Sequence, residues 1–246
     1  MLRPKDLDRE KIIEIFSEFD AGAISTRFQR SVAMRQYLRY LRDEHEADRL
    51  VQWVPRCPKP APRNVTARTE ERAAIMASAN DSLRCWLLLC SDLAIRSGTA
   101  ARLTPENYDP QKGTLSFKTK YQASLTLPVT NELAALLSSA SKRGDATMPF
   151  VALLHPLKRC SKVTLTQQFQ RLRKRLGIER KLTPHDLRRT TAVAIMDITK
   201  DLRLVQALLG HRSLQSTLYY LDHRNTPVPV STLELAKLNP ASESIQ

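Results

Sequence analysis

Residues 181–192 read KLTPHDLRRTTA, and their types suit an anion. Thr183 stands where a helix N-cap is expected. Pro184 takes the first helical position, and Asp186, three residues after the cap, completes a capping box. His185 and Arg188 are three apart, so they share one face of the first helical turns. Unpaired backbone N–H groups and the positive end of the helix dipole lie beside them. A planar guanidinium, an imidazole and a helix N-terminus together make a phosphate clamp. His-Asp pairs also ligate metals, but that chemistry needs further His or Asp ligands. Only His45, His155, His211 and His223 remain to supply histidine, so the phosphate reading is preferred and no metal site is expected.

Downstream, residues 201–223 read DLRLVQALLGHRSLQSTLYYLDH. Gly210 is a natural C-cap for the helix before it. His211 follows at a chain reversal, where a side chain can project into a cleft. A lone histidine there is ordinarily a satisfied core residue, and adjacent tyrosines on a helix are ordinarily packing. Here the histidine comes after the His185/Arg188 turn and before Tyr219 and Tyr220.

Taken together, HDLRR, LLGH and STLYY resemble the tyrosine recombinase (phage integrase) family. Its motif has HxxR, then GH, then a tyrosine nine residues after the second histidine, which selects Tyr220 as the nucleophile. A threonine expected six residues after that histidine is present as Thr217. The resemblance implies two more residues. One is an arginine in a GLR-like segment with a leucine seven residues later, supplied by Arg96 and Leu103 in LAIRSGTAARLTPENYD. The other is a lysine on a β-hairpin turn before a Leu-Pro sequence. Lys120, eight residues before Pro128 in FKTKYQASLTLPV, fits it, and Lys118 is the weaker alternative. Two positions depart from the pattern: Ala94 replaces the usual glycine before the Leu-Arg pair, and Thr99 replaces an acidic residue. The match runs over roughly residues 64–225 and is weak over 1–60.

These residues need elements to hold them. The sequence predicts a mainly α protein with a small antiparallel β-sheet (α+β). Residues 1–53 read as a short helical, DNA-clamping domain of two helices. Ile12, Ile13, Phe16 and Phe19 repeat at helical spacing in the first. Val32, Tyr37, Leu38 and Leu41 are expected to face inward from the second. Arg35, Arg39 and Arg42 recur on one face of that helix, either to touch phosphates or as a solvated face paired with Asp43 and Glu46. Residues 54–69 are Pro-rich and basic and form an extended linker, in which Arg63 is a DNA-contact candidate. The catalytic domain is expected over 70–225. It opens with two helical stretches, the second (DSLRCWLLLCSDLAI) apolar nearly all round and so buried. GTLSFKTK and SLTLPVT alternate as paired strands, MPFVAL reads as a third short strand, and SKVTLTQQFQRLRKRLGI as a basic amphipathic helix. Helices over about 184–198, 201–209 and 213–222 follow. Residues 226–246 form a tail whose segment STLELAKL can dock on a neighbouring subunit or fold back.

Charge agrees with a polyanionic partner. The chain has 39 Lys and Arg against 25 Asp and Glu, a net charge of +14. The balance is even over residues 1–50 and increasingly basic beyond them. Cys57, Cys85, Cys90 and Cys160 form no CxxC pair and no zinc pattern, so idle thiols are expected. No apolar run approaches the roughly 18 residues of a membrane span, and the charged start MLRPKDLDRE is no signal peptide. The expectation is a cytoplasmic, nucleoid-associated protein with no membrane partner.

The resemblance implies a site-specific recombinase acting on double-stranded DNA, assembled as a homo-tetramer on two sites. It implies catalytic roles for Arg96, Lys120, His185, Arg188, His211 and Tyr220. No metal or other cofactor is needed, since the arginines neutralise the phosphate. A DNA-binding relative without catalysis and a nicking-closing topoisomerase are the competing readings.

Overall fold

The computed structural model describes residues 7–18, 23–41, 47–61, 64–119, 124–157 and 159–221. Its contacts divide the chain into two units, Met1–Arg63 and Asn64–Gln246.

In the first unit, α1 (Arg9–Glu18), α2 (Ile24–Tyr40) and a 3-10 turn (Ala47–Trp53) close around one small core. Ile12 and Leu38 are fully buried, with Leu41 and Val54 nearly so. Along α2 the inward stripe runs Ser31, Met34, Leu38, Leu41, at spacings of three and four. Val32 and Tyr37 each lie one position off that stripe, about 100° around the helix, and are exposed rather than packed inward. Ile13 is exposed for the same reason beside Ile12. Ser31 is buried because its hydroxyl donates to the Pro55 carbonyl at 2.9 Å. Arg35 turns back onto this junction, donating to Ser31 Oγ at 2.6 Å and to the Val54 carbonyl at 2.7 Å. Arg39, four residues on, is exposed. Phe19, Arg42 and Arg63 lie outside the described residues.

The second unit is built around one helix. After α3 (Thr69–Ser78), α4 (Asp81–Ser91) starts at Asn80, whose side chain accepts from the Leu83 N–H at 2.9 Å. Cys85, Trp86 and Leu87 through Cys90 are all fully buried. Burial pushes both thiols, Cys85 and Cys90, up to about 12. A helix apolar on every face must be covered on every face. Its neighbours are α5 (Ser97–Ala100), α6 (Asn131–Ser141), α7 (Phe150–Leu153), α8 (Lys162–Arg175) and α9 (Pro184–Thr199). The Trp86 indole N–H donates to the Ser97 carbonyl at 2.9 Å, fixing the chain as it leaves α4. Two short helices, α10 (Leu202–Leu209) and α11 (Leu214–Leu221), pack with α9 around a second apolar cluster.

A three-stranded antiparallel sheet lies beside the helices, ordered β1 (Tyr108–Asp109), β2 (Thr114–Lys118), β3 (Ser124–Pro128). Leu115 pairs with Leu127 and both are buried, while Ser116 and Thr126 face out and share a hydrogen bond of 2.8 Å. The two-residue β1 is too short to announce itself by alternation. Residues 120–123 between β2 and β3, including Lys120, are outside the described residues. The mixed helical class with a small antiparallel sheet holds, with one change of element. MPFVAL is not a strand: Phe150–Leu153 is a helical turn started by Pro149, whose carbonyl accepts from Ala152 and Leu153. All four of its residues are buried, and a short apolar run does not by itself distinguish strand from helix.

The start of the second unit is held by charge. Arg180 clasps Glu71 with two hydrogen bonds, the Nε–Oε1 contact at 2.7 Å. Glu71 also accepts from the Arg68 N–H at 2.8 Å, capping α3. The Arg180 hydrogen bond, then the Arg68 N–H, hold the Glu71 carboxyl at about 2 against an ordinary 4.5. A depressed carboxylate stabilises the fold fully above its unfolded value and loses that contribution as pH falls through the folded one. Glu71→Gln keeps the cap and removes the ion pair. Because Arg180 is about a third exposed and partly screened, the expected cost at pH 7 is about 1 kcal/mol. Urea melts of both proteins should differ at pH 7 and converge as pH drops from 4.5 towards 2. An equal gap at pH 7 and pH 3 would show that the ion pair is not its source.

Candidate functional site

The capping box at the start of α9 forms as its residues dictate. The Thr183 N–H and hydroxyl both donate to Asp186 Oδ2, each at 2.7 Å, and Asp186 is buried. That cap fixes the first turn, from which His185 projects at the surface and Arg188 projects inward. Arg188 is only 2% exposed. Its guanidinium donates to the Ala94 carbonyl and, at 2.8 Å, to the Leu209 carbonyl. One side chain thereby ties α9 to the turn after α4 and to the end of α10.

Both carbonyls are available for local reasons. Ala94 has φ of +49°, a left-handed conformation that an L-residue occupies at a cost of about 1–2 kcal/mol. Leu209 ends α10, so its carbonyl has no partner within the helix. The reversal after it needs Gly210, at φ +56°, which brings the chain against the end of β2: a Cβ there would meet Thr119 Cγ2 at 3.0 Å. His211 comes next. Its N–H donates to the Gln206 carbonyl at 3.1 Å, its carbonyl accepts from Gln206 Nε2 at 3.0 Å, and its Nδ1 lies 3.1 Å from the hydroxyl of buried Thr217.

Arg96, His185, Arg188 and His211 are close enough to act on one another's charge. Burial first, and then the Arg188, Arg96 and His185 charges, lower the His211 imidazole to about 4. Loss of water around its ring, followed by Arg188, also holds His185 below its ordinary value, with Asp186 pulling the other way. At neutral pH the His211 ring is therefore uncharged and the neutral form of His185 is favoured, so the rings can share hydrogen bonds or accept a proton while the positive charge sits on the guanidiniums. A cleft of about 580 Å³ opens beside them, walled by Arg96, Arg102, Lys118, Thr119, Lys162 and His185. Such a surface neutralises and orients an anion with several oxygens. Among the described residues, no group of three or more His, Cys, Asp or Glu could hold a metal ion.

Lys118 reaches the cleft from the last position of β2, while Lys120 lies outside the described residues. Tyr219 and Tyr220 fall in the last turn of α11 by backbone, but their side chains lie outside the described residues. Arg35 and Arg39 belong to the first unit. Arg102 and Lys162 enter the cleft without any signal in the motif spacing. The basic character of the SKVTLTQQFQRLRKRLGI helix hinted at Lys162, and nothing singled out Arg102. Thr99, where an acidic residue was expected, lines the same cleft.

The sequence matches the model of the phage integrase family over residues 66–226. The chain belongs to the phage integrase family. Among similar members, the tyrosine recombinase XerA of Pyrococcus furiosus is 27% identical over 194 residues, 76% of this chain and 66% of the relative. Tyrosine recombinase XerC of Chlamydia pneumoniae is 26% identical over 177 residues, 68% of this chain and 56% of the relative. This phage integrase-family chain thus spans less than two thirds of the length of either relative. Its fold is shared with a λ integrase (75–356) dimer bound to a COC′ core site, with a TM-score of 0.70, 18% identity, and 92% and 83% of the two chains covered. It is also shared with XerH recombinase bound to difH, with a TM-score of 0.69, 20% identity, and 95% and 71% covered. No helix among the described residues is long and apolar enough to cross a membrane.

Gly210 carries two burdens at once, a left-handed φ and the close approach of Thr119. Gly210→Ala is therefore expected to destabilise the protein by about 1–2 kcal/mol from backbone strain alone. The backbone amides of Thr119 and His211 should shift together in NMR spectra. Unchanged stability in denaturant melts would contradict this account of the reversal.

Proposed function

We propose that this protein is a site-specific DNA recombinase that cuts and rejoins double-stranded DNA through a 3′-phosphotyrosyl intermediate, using neither ATP nor a metal. The observation that carries this reading is the meeting of Arg96, His185, Arg188 and His211 beside a cationic cleft. Family membership and the nine-residue step from His211 to Tyr220 on α11 support it.

Tyr220 Oη attacks the scissile phosphorus, forming a new P–O bond as the P–O5′ bond breaks. The product is a 3′-phosphotyrosyl diester and a free 5′-hydroxyl. Since one phosphodiester replaces another, the exchange is near balance and reverses onto a new 5′-hydroxyl without an energy source. Tyrosine is a weak nucleophile at neutral pH, with a reference pKa of about 10, so the barrier must fall elsewhere. Charge grows on the two non-bridging oxygens. Arg96, on the cleft wall, donates to them, a donor of this kind contributing roughly 3 kcal/mol, and Arg188, bonded to the Ala94 and Leu209 carbonyls behind it, adds its fixed positive charge. The uncharged His185 ring takes the tyrosine proton. His211, kept neutral by its surroundings, hydrogen-bonds the phosphate. Lys120 donates a proton to the leaving 5′-oxygen.

Arg102, Lys118 and Lys162 extend the positive track along the neighbouring backbone. In this reading residues 1–53, with Arg39 and Arg42, and Arg63 in the 54–69 linker, grip DNA apart from the catalytic domain over 70–225, while Arg35 braces the Ser31–Val54 junction. The protein assembles as a homo-tetramer across two sites. The tail over 226–246 lies outside the described residues and is assigned no role in the chemistry.

A suicide substrate, nicked so that the 5′-hydroxyl diffuses away, should trap a covalent protein–DNA adduct. Tyr220→Phe should abolish that adduct, and Tyr219→Phe should retain it. The reverse outcome would assign the chemistry to Tyr219, and absence of adduct on any cognate site would sink the enzyme reading. Supercoil relaxation by a monomer with no two-site product would favour a topoisomerase. DNA affinity should fall steeply with salt, and Lys162→Ala should reduce the slope of log K against log salt by about one.

A further inference from the structure

The connector between the units does not end where the second unit's helices begin. Its last residues are fastened to the helix that carries His185 and Arg188. The Ala67 N–H donates to Thr190 Oγ1 at 2.7 Å, and the same hydroxyl donates onward to the Asp186 carbonyl at 2.9 Å. Asp186 in turn holds Thr183 at the N-cap. One residue along α9, Arg189 donates to the Asn64 side-chain oxygen at 2.6 Å. Just before α9, Arg180 donates to the Thr66 carbonyl at 2.9 Å and pairs with Glu71. Residues 64–71 are thus fixed at four points, all within residues 180–190. Ala67 and Arg189 are both buried, so neither has ready water to replace its partner.

The arrangement has a direction. Thr190 lies one turn beyond Asp186, so its hydroxyl reports to the turn from which His185 projects. Arg189 is the sequence neighbour of Arg188, whose guanidinium is already committed to the Ala94 and Leu209 carbonyls. A shift of the strap would turn α9 against that brace.

We propose that residues 64–71 form a strap that sets the position of the first two turns of α9, with Thr190 and Asn64 as positioning residues for His185 and Arg188. The inference rests on the recombinase reading for its catalytic consequence, but its geometric content stands apart from it.

Thr190→Val keeps the shape of the side chain and removes both hydrogen bonds, whereas Thr190→Ser keeps the hydroxyl. Asn64→Ala removes an exposed anchor and leaves the core untouched. Two measurements decide the matter. With saturating suicide substrate, Thr190→Val should form adduct roughly 10- to 100-fold more slowly, the scale of a small misplacement of reacting groups. DNA Kd should stay within about twofold, because the track of Arg102 and Lys162 is not touched. Thr190→Ser should restore the rate, and Asn64→Ala should give a smaller loss of the same kind. Independently of any cutting, NMR titration of His185 should move towards the ordinary imidazole value in Thr190→Val and Asn64→Ala, and return in Thr190→Ser. A wild-type His185 titration in both Thr190→Val and Asn64→Ala would overturn the strap, as would a rate loss matched by loss of DNA affinity. If the wild-type protein forms no adduct, the recombinase reading fails and the His185 titration alone decides the strap.

Discussion

Arg188 keeps a permanent positive charge almost wholly out of water, and the second unit is arranged to make that tolerable. A buried guanidinium is costly unless oxygen acceptors replace its hydration. Here two backbone carbonyls do so, from Ala94 and Leu209. Each is presented by a departure from regular structure. The chain leaves α4 through a left-handed alanine, and α10 stops at a left-handed glycine, with the negative end of its dipole towards the arginine. The brace then places two site residues, Arg96 two positions past one carbonyl and His211 two positions past the other. A single buried side chain thereby sets the spacing of three segments distant in sequence.

That burial also determines the ionisation of its neighbours. Guanidiniums do not lose their charge in proteins, so nearby groups adjust instead. The imidazole of His211 is held neutral, and that of His185 is shifted the same way. The division of labour is electrostatic: fixed cations balance charge, and neutral rings handle protons. Asp186, whose carboxylate accepts from Thr183, pulls His185 the other way without outweighing burial and Arg188.

Much of this was legible in the sequence. Capping chemistry is local, so Thr183, Pro184 and Asp186 announce the start of α9, and Gly210 the end of α10. The apolar character of α4 announces its burial, and alternation announces β2 and β3. What failed was short or depended on neighbours. Phe150–Leu153 is too brief for its period to be read. Val32 and Tyr37 are apolar residues one position off a stripe whose axis only packing reveals. In the site, motif spacing singled out Arg96, His185, Arg188 and His211, which the fold brings together. It was silent on Arg102 and Lys162, because the walls of a cleft come from elements with no fixed separation along the chain. The anchoring of Asn64 and Ala67 was hidden for a related reason. A Pro-rich segment reads as a passive linker, and its hydrogen bonds run to residues more than a hundred positions away.

The left-handed turn at Ala94 has a consequence for which side chains this position tolerates. Replacing alanine by glycine would relieve about 1–2 kcal/mol of backbone strain. It would also forfeit about 0.8 kcal/mol of buried methyl and add about 0.5–1 kcal/mol of chain freedom to the unfolded state. The three nearly cancel, so alanine and glycine are nearly equal in stability at this position. Any larger side chain meets both the strain and a sealed apolar cluster formed with Ala192, Val205, Leu209 and Leu221. The premium on a small side chain at this site follows from the brace on Arg188.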